Sequence, residues 1–103
     1  MKVILTEAAW DDLFHIGKTI AAHNRNRANS FVDQLYNSCR ELGLMPRAYP
    51  LLPDHEASGI RRRVHGNYLI FYRIGADAIE IIHALHGAVD YARLLFPDGD
   101  DEA

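Results

Sequence analysis

The period of the apolar positions changes along this chain, and each change marks an element boundary. Val3, Ile4 and Leu5 are strand formers and predict a short first strand. Thr6 is placed to cap a helix, and Glu7 suits the positive end of its dipole. Ala9, Leu13, Ile16 and Ile20 then recur at helical spacing, with Trp10 and Phe14 widening the stripe. His23 to Arg27 is polar, and Asn24 or Asn26 can end one helix and start the next. Ala28, Phe31, Leu35, Cys39 and Leu42 form a second stripe, with Gly43 placed as its C-cap. So short a connection between two amphipathic helices predicts an antiparallel hairpin, whose apolar face must pack on something.

Beyond Pro46, Pro50 and Pro53 the pattern turns to strands. Ile60 to Val64 reads as a strand, His65-Gly66-Asn67 as a turn, and Tyr68 to Ile74 as the strongest strand in the chain. Gly75 to Asp77 breaks it, and Ala78 to Leu85 is the last strand. Strict alternation there puts Ile79, Ile81, His83 and Leu85 on one face and Glu80, Ile82 and Ala84 on the other. Three consecutive strands with tight turns predict an antiparallel meander. The expected fold class is α+β in the order β-α-α-β-β-β: an N-terminal strand, an antiparallel helical hairpin and a three-stranded meander, with one sheet carrying the hairpin on one face. Residues 1–97 read as a single domain and 98–103 as an acidic, flexible tail.

Composition changes this picture in two places. A chain that is 49% hydrophobic and 24% charged is globular rather than disordered. No apolar run approaches the roughly 20 residues of a membrane helix, and Met1 to Leu5 is too short for a signal peptide. The expectation is a cytoplasmic protein with no membrane partner. The net charge of −3 conceals an asymmetry. Residues 59–93 carry five arginines against three acids, while the last ten residues hold Asp98, Asp100, Asp101 and Glu102 and no base. The lone cysteine, Cys39, lies on the second apolar stripe and reads as a buried small hydrophobe.

Candidate chemistry is sparse. Neither Cys39 nor the six histidines complete a zinc or iron spacing, the glycines form no phosphate loop, and there is no nucleophile elbow. No metal or cofactor is expected. The cluster Arg61-Arg62-Arg63 stands out, with Arg73 on the next strand able to join one side of it. Alternation sends Arg61 and Arg63 to one face and Arg62 to the other. Consecutive guanidinium groups repel unless anions meet them, so the cluster is either a charged edge strand or a docking surface for an acidic chain or nucleic acid. A second constellation is His86-Gly87-Ala88-Val89-Asp90-Tyr91. Gly87 permits a tight turn, and Asp90 can serve turn amides or orient His86, which makes either a structural clasp or a general-base pair. Arg93 lies close enough in sequence to enlarge the basic patch.

These residues resemble the ParE/RelE toxin superfamily, its ParE branch most of all. The matching stretches are Val3-Ile4-Leu5 with Ala8 to Leu13, Ile60 to Val64, Gly66 to Ile74, Ile79 to Ile82, and Ala84-Leu85-His86-Gly87. The resemblance implies a toxin of a type II toxin–antitoxin pair that inhibits DNA gyrase by trapping its cleaved-DNA intermediate. RelE-type relatives instead cut mRNA on the ribosome, and Arg61, Arg63, His86 and Tyr91 are the residues that could fill such catalytic roles here. The resemblance also implies a ParD-like antitoxin partner whose acidic C-terminal region wraps the toxin, and which alone links the complex to operator DNA. The implied antitoxin surface is the helical hairpin near Trp10 and Phe14, extending to the arginine strand. One departure is Val89, where many members carry an arginine before the final aspartate: either Arg93 substitutes for it, or toxicity is reduced, in the limit to a non-toxic toxin-fold protein acting only in its antitoxin complex.

Overall fold

A computed structural model describes residues 1–98. The expected acidic tail falls almost wholly on 99–103, outside the described residues. Strand β1 (Lys2–Leu5) leads into helix α1 (Glu7–Ala21), which turns into α2 (Arg25–Glu41). A long connection with a single 3-10 turn at Glu56–Ser58 follows, and then β2 (Ile60–His65), β3 (Tyr68–Ile74) and β4 (Ala78–His86) form the meander. A short helix α3 (Tyr91–Leu95), not foreseen from the sequence, closes the described chain.

The caps explain the helix starts. Thr6 Oγ1 accepts from the amide of Ala9, and Asn24 Oδ1 accepts from that of Arg27. The C-terminal end of α2 is a different matter. Leu42 caps it in right-handed geometry, and Gly43 does not enter the left-handed region, so it is no C-cap glycine. Gly43 matters for its lack of a side chain, since a β-carbon there would overlap the carbonyl oxygen of Met1.

The sheet has the order β1-β4-β3-β2, with β1 parallel to β4 and the other pairs antiparallel. Its first face meets the hairpin. Leu13, Ile16, Leu35, Leu42, Ile70 and Tyr72 interdigitate there, and both predicted helical stripes point inward. The second face carries a smaller cluster of Leu52, Ile60 and Phe71, covered by the long connection and by Tyr91, Leu95 and Phe96.

Strand β4 corrects one expectation. Phe71 pairs with His83 but Tyr72 pairs with Ile81, so Ile82 is an extra residue in a β-bulge. Alternation restarts after it. Ala84, not Leu85, joins Ile79 and Ile81 on the hairpin side, while Ile82 and Leu85 pack on the second face. A one-residue slip reverses every later side chain, and strict alternation could not anticipate it.

Candidate functional site

The inward stripe of α1 leaves Trp10 and Phe14 on its outer flank, where they are 51% and 64% exposed. Trp10 stacks on Tyr36 of α2, with ring centroids 5.6 Å apart. Gly17 lets the helices approach closely, because a β-carbon there would lie 3.3 Å from Val32 Cγ2. Between the flanks runs an open groove of ≈ 400 Å³ lined by Trp10, Leu13, Phe14, Val32, Asp33 and Tyr36. It continues past Gly17 to Ala21 and Ala28 as a further recess of ≈ 590 Å³. The channel between the two helices thus keeps aromatic surface in water. The sequence pointed to Trp10 and Phe14 but missed their counterparts. The signal was present, since Val32, Tyr36 and Arg40 recur every four residues on α2 beside the core stripe.

The arginine strand is less open than its sequence suggests. Arg61 and Arg63 face the hairpin and Arg62 the opposite side, as alternation requires. Arg61 Nη1 donates to the carbonyl of Tyr49 at 2.6 Å. Arg63 Nη1 donates to the Ser38 carbonyl at 2.7 Å, and its Nη2 lies 3.0 Å from Glu41 Oε1. Arg62 Nη1 donates to the Tyr91 hydroxyl at 3.1 Å on the second face. The mutual repulsion of the three guanidinium groups is therefore relieved by this chain's own acceptors. β2 is an edge strand, but Pro50 to Leu52 pair with its first half through Leu52 N to Ile60 O and Arg62 N to Pro50 O. Arg73, opposite Ile60, takes the Arg62 side, donates to the Ser58 carbonyl and remains half-exposed.

Beyond β4, the amide of Ala88 donates to His86 Nδ1 at 3.0 Å, while Asp90 Oδ2 lies 3.4 Å from Arg93 Nε. The histidine and the aspartate thus have separate partners. Tyr91 packs on Phe71 on the second face, His86 stands edge-on to Tyr68, and Arg61 and Arg63 lie on the hairpin side. The four residues with a potential nuclease role do not converge on one point. Gly87 lies close to the Asn67 carbonyl and donates its amide to it at 2.8 Å.

A histidine–aspartate pair does exist, between residues 71 apart in sequence. Asp12 Oδ2 accepts from His83 Nδ1 at 2.7 Å and from the amide of Ala84 at 2.9 Å, which bolts α1 to β4 beside the bulge. No local pattern could have revealed it. Elsewhere burial pushes the Cys39 thiol up to about 12, with Arg63 opposing, in keeping with its place on the buried stripe of α2. Among the described residues no three His, Cys, Asp or Glu side chains are placed to hold a metal ion, and no helix is long and apolar enough to cross a membrane.

The family model of the ParE toxin of the type II toxin–antitoxin system parDE matches residues 3–91. The chain belongs to the ParE toxin family. No curated protein matches its sequence. Solved structures of similar fold include a chromosomal ParDE system from P. aeruginosa, with a TM-score of 0.72 at 16% identity, covering 84% of this chain and 95% of that one. A chain of the RelBE2 toxin–antitoxin complex from Mycobacterium tuberculosis gives 0.54 at 22% identity, covering 82% and 95%. A YoeB/ParE toxin from Agrobacterium tumefaciens gives 0.51 at 20%, covering 84% and 98%. Identities this low speak for the shared fold alone. Within the ParE family pattern, Val89 stands 40% exposed in the turn after β4 and Arg93 extends 89% exposed beyond it.

Proposed function

We propose that this ParE-family toxin poisons DNA gyrase in the cytoplasm by trapping its DNA cleavage complex, and that an antitoxin encoded beside it neutralises it. Residues 1–97 act as one toxin domain, with no cofactor. The observation that carries the antitoxin half is the groove between α1 and α2. An amphipathic helix laid there would cover Phe14 and the Trp10–Tyr36 stack, which otherwise stay in water. The partner would be ParD-like, with operator DNA reached only through it.

The gyrase half rests on family membership and on the spread of the nuclease candidates. Arg61, Arg62 and Arg63 are engaged within the chain and act as positioning residues. Arg73 and Arg93 are the guanidinium groups of the cluster with the most exposed side chains, so they are the ones offered to a target.

The test is a cleavage assay with purified chain, DNA gyrase, ATP and supercoiled plasmid, scored for linear DNA after denaturation and protease. Linear product that disappears on adding antitoxin is the expected result. A folded, antitoxin-free sample that leaves the plasmid intact but cuts mRNA on ribosomes would overturn the gyrase assignment.

A further inference from the structure

On the far side of α1 from the groove lies a smaller recess of ≈ 310 Å³, where the helix meets the end of β4 and the start of β3. Asp12, His15 and Thr19 form its helical wall, and Tyr68, Leu85 and His86 its sheet wall. At 3.6 residues per turn, Asp12, His15 and Thr19 stand about half a turn around α1 from Trp10, Phe14 and Gly17. A helix laid in the groove therefore leaves this recess open.

The hydrogen-bonding character of the recess follows from bonds already made around it. The carbonyl of Asp11 only accepts, so its 2.7 Å contact with His15 places the proton of the neutral ring on Nδ1 and leaves a lone pair on Nε2. Thr19 Oγ1 donates its single proton to the His15 carbonyl at 3.0 Å, so that hydroxyl has only lone pairs left. Asp12 Oδ2 takes both His83 Nδ1 and the amide of Ala84, and Oδ1 has no donor among the described residues. Three acceptors thus recur on one face of α1, with a carboxylate charge among them. His86 differs: its Nδ1 accepts from the amide of Ala88, which puts the proton of the neutral ring on Nε2. Charge agrees with the acceptors. α1 carries Glu7, Asp11 and Asp12 against Lys18 alone, and the Lys18 ammonium lies 5.5 Å from the Phe14 ring on the groove side.

We infer that this recess is a docking site for an arginine side chain of a protein partner. A guanidinium group brings five donors in one plane and no acceptor, which suits acceptors set one helical turn apart, whereas an ammonium gathers three donors at a point. Ile16 and Leu85 line the recess for the methylene stem, and Tyr68 adds an aromatic ring. The Asp12 carboxylate supplies the opposite charge and is held in place by the two donors on Oδ2. A phosphate would meet that carboxylate and the lone pairs beside it, so nucleic acid does not fit. The two flanks of α1 thus differ in chemistry, with an apolar groove on one and an acceptor-lined recess on the other. The inference does not depend on what fills the groove.

The experiment titrates the full-length, isotope-labelled toxin with a tripeptide that carries arginine between two glycines and is blocked at both ends, and follows the NMR shifts residue by residue. The same peptide with lysine, and with citrulline as the uncharged isostere, are titrated beside it. Saturating shifts centred on Asp12, His15, Thr19, Tyr68 and His86 are expected with arginine, and none with citrulline. Lysine should bind more weakly by about fivefold or more. The variant His15→Ala/Thr19→Ala removes two exposed acceptors, leaves the Asp12–His83 bond in place, and should weaken the arginine peptide by about fivefold or more. Asp12→Asn, which keeps an acceptor for Ala84, should abolish saturation by removing the charge, with native circular dichroism showing that both variants are folded. Equal shifts with citrulline would make this a neutral amide site, and equal affinity for lysine a generic cation surface; either overturns the proposal. So would shifts that never saturate or that spread over Glu56, Asp77 and Glu80, or an unchanged affinity in His15→Ala/Thr19→Ala.

Discussion

Replacing Asp12 with alanine probes a polar bolt between α1 and the sheet. Asp12 Oδ2 holds two donors, His83 Nδ1 at 2.7 Å and the amide of Ala84 at 2.9 Å, and both side chains of the pair are about four-fifths covered. A hydrogen bond to a charged group contributes about 1.5–3 kcal/mol, and stranding a buried donor costs about 1–3 kcal/mol. The two terms overlap, because water reaches part of the vacated site, so the expected loss is about 2–4 kcal/mol. Asp12→Asn should recover a good part of it, since its amide oxygen can still accept from Ala84. Urea unfolding followed by circular dichroism reads the difference, with an unchanged slope showing that only the native state was affected. A double-mutant cycle with His83→Ala isolates the pair and should give a coupling of about 0.5–3 kcal/mol. A loss within about 0.5 kcal/mol for Asp12→Ala, or strict additivity in the cycle, would show that the bolt contributes nothing in solution and that α1 is seated by apolar packing and the Thr6 cap.

Leu35 is fully buried under the sheet, so Leu35→Ala should cost about 2–5 kcal/mol by chemical denaturation; a near-neutral result would mean that α2 packs with another face. Cys39 is fully buried and its thiol is pushed up to about 12, so a thiol reagent at pH 8 should label it only as fast as the chain unfolds. Rapid native labelling would contradict that burial. His65, bonded to Ser38 Oγ, is held below its ordinary value first by burial and then by Arg63, with Glu41 opposing and Arg27 adding. A depressed histidine favours the neutral form in the fold, so its contribution is present above a pH of about 6.5 and is lost as the pH falls through its folded value. Stability should therefore drop more from pH 8 to pH 5 in the native chain than in His65→Gln, and equal slopes would refute this.

The elements were legible because each has a single period and a chemical boundary. Thr6 and Asn24 cap as their side chains dictate, and the two helical stripes bury the residues that their spacing selects. What escaped were features set by residues far apart in the chain. The bulge at Ile82 answers a register imposed by β3, and the Asp12–His83 pair exists only once α1 lies across β4. The arginines show a third kind of limit. Alternation along β2 sets their faces but not their partners, which are carbonyls of Tyr49 and Ser38, a tyrosine hydroxyl and Glu41. Backbone acceptors leave no mark in a sequence, so a structural clasp and an exposed patch read alike. Trp10 and Phe14 read only as widening the α1 stripe, and their place on a partner surface came from the family resemblance, whereas the groove itself depends on how closely Gly17 lets α2 approach.

The parallel pairing of β1 with β4 has a consequence for how the chain comes into being. The sheet cannot be completed until Ala78 to Ile81 are available to Lys2–Leu5, so the first strand waits for nearly the whole chain. At roughly 5–20 residues per second of synthesis, that wait lasts seconds. During it the apolar face of the helical hairpin has no sheet to cover it. Closure of so long a loop adds only a modest entropic cost but slows the search, placing completion of the sheet late in folding. The sheet is therefore closed only after Ile81 has been made, which leaves an interval in which a ligand that recognises the isolated hairpin can reach it first.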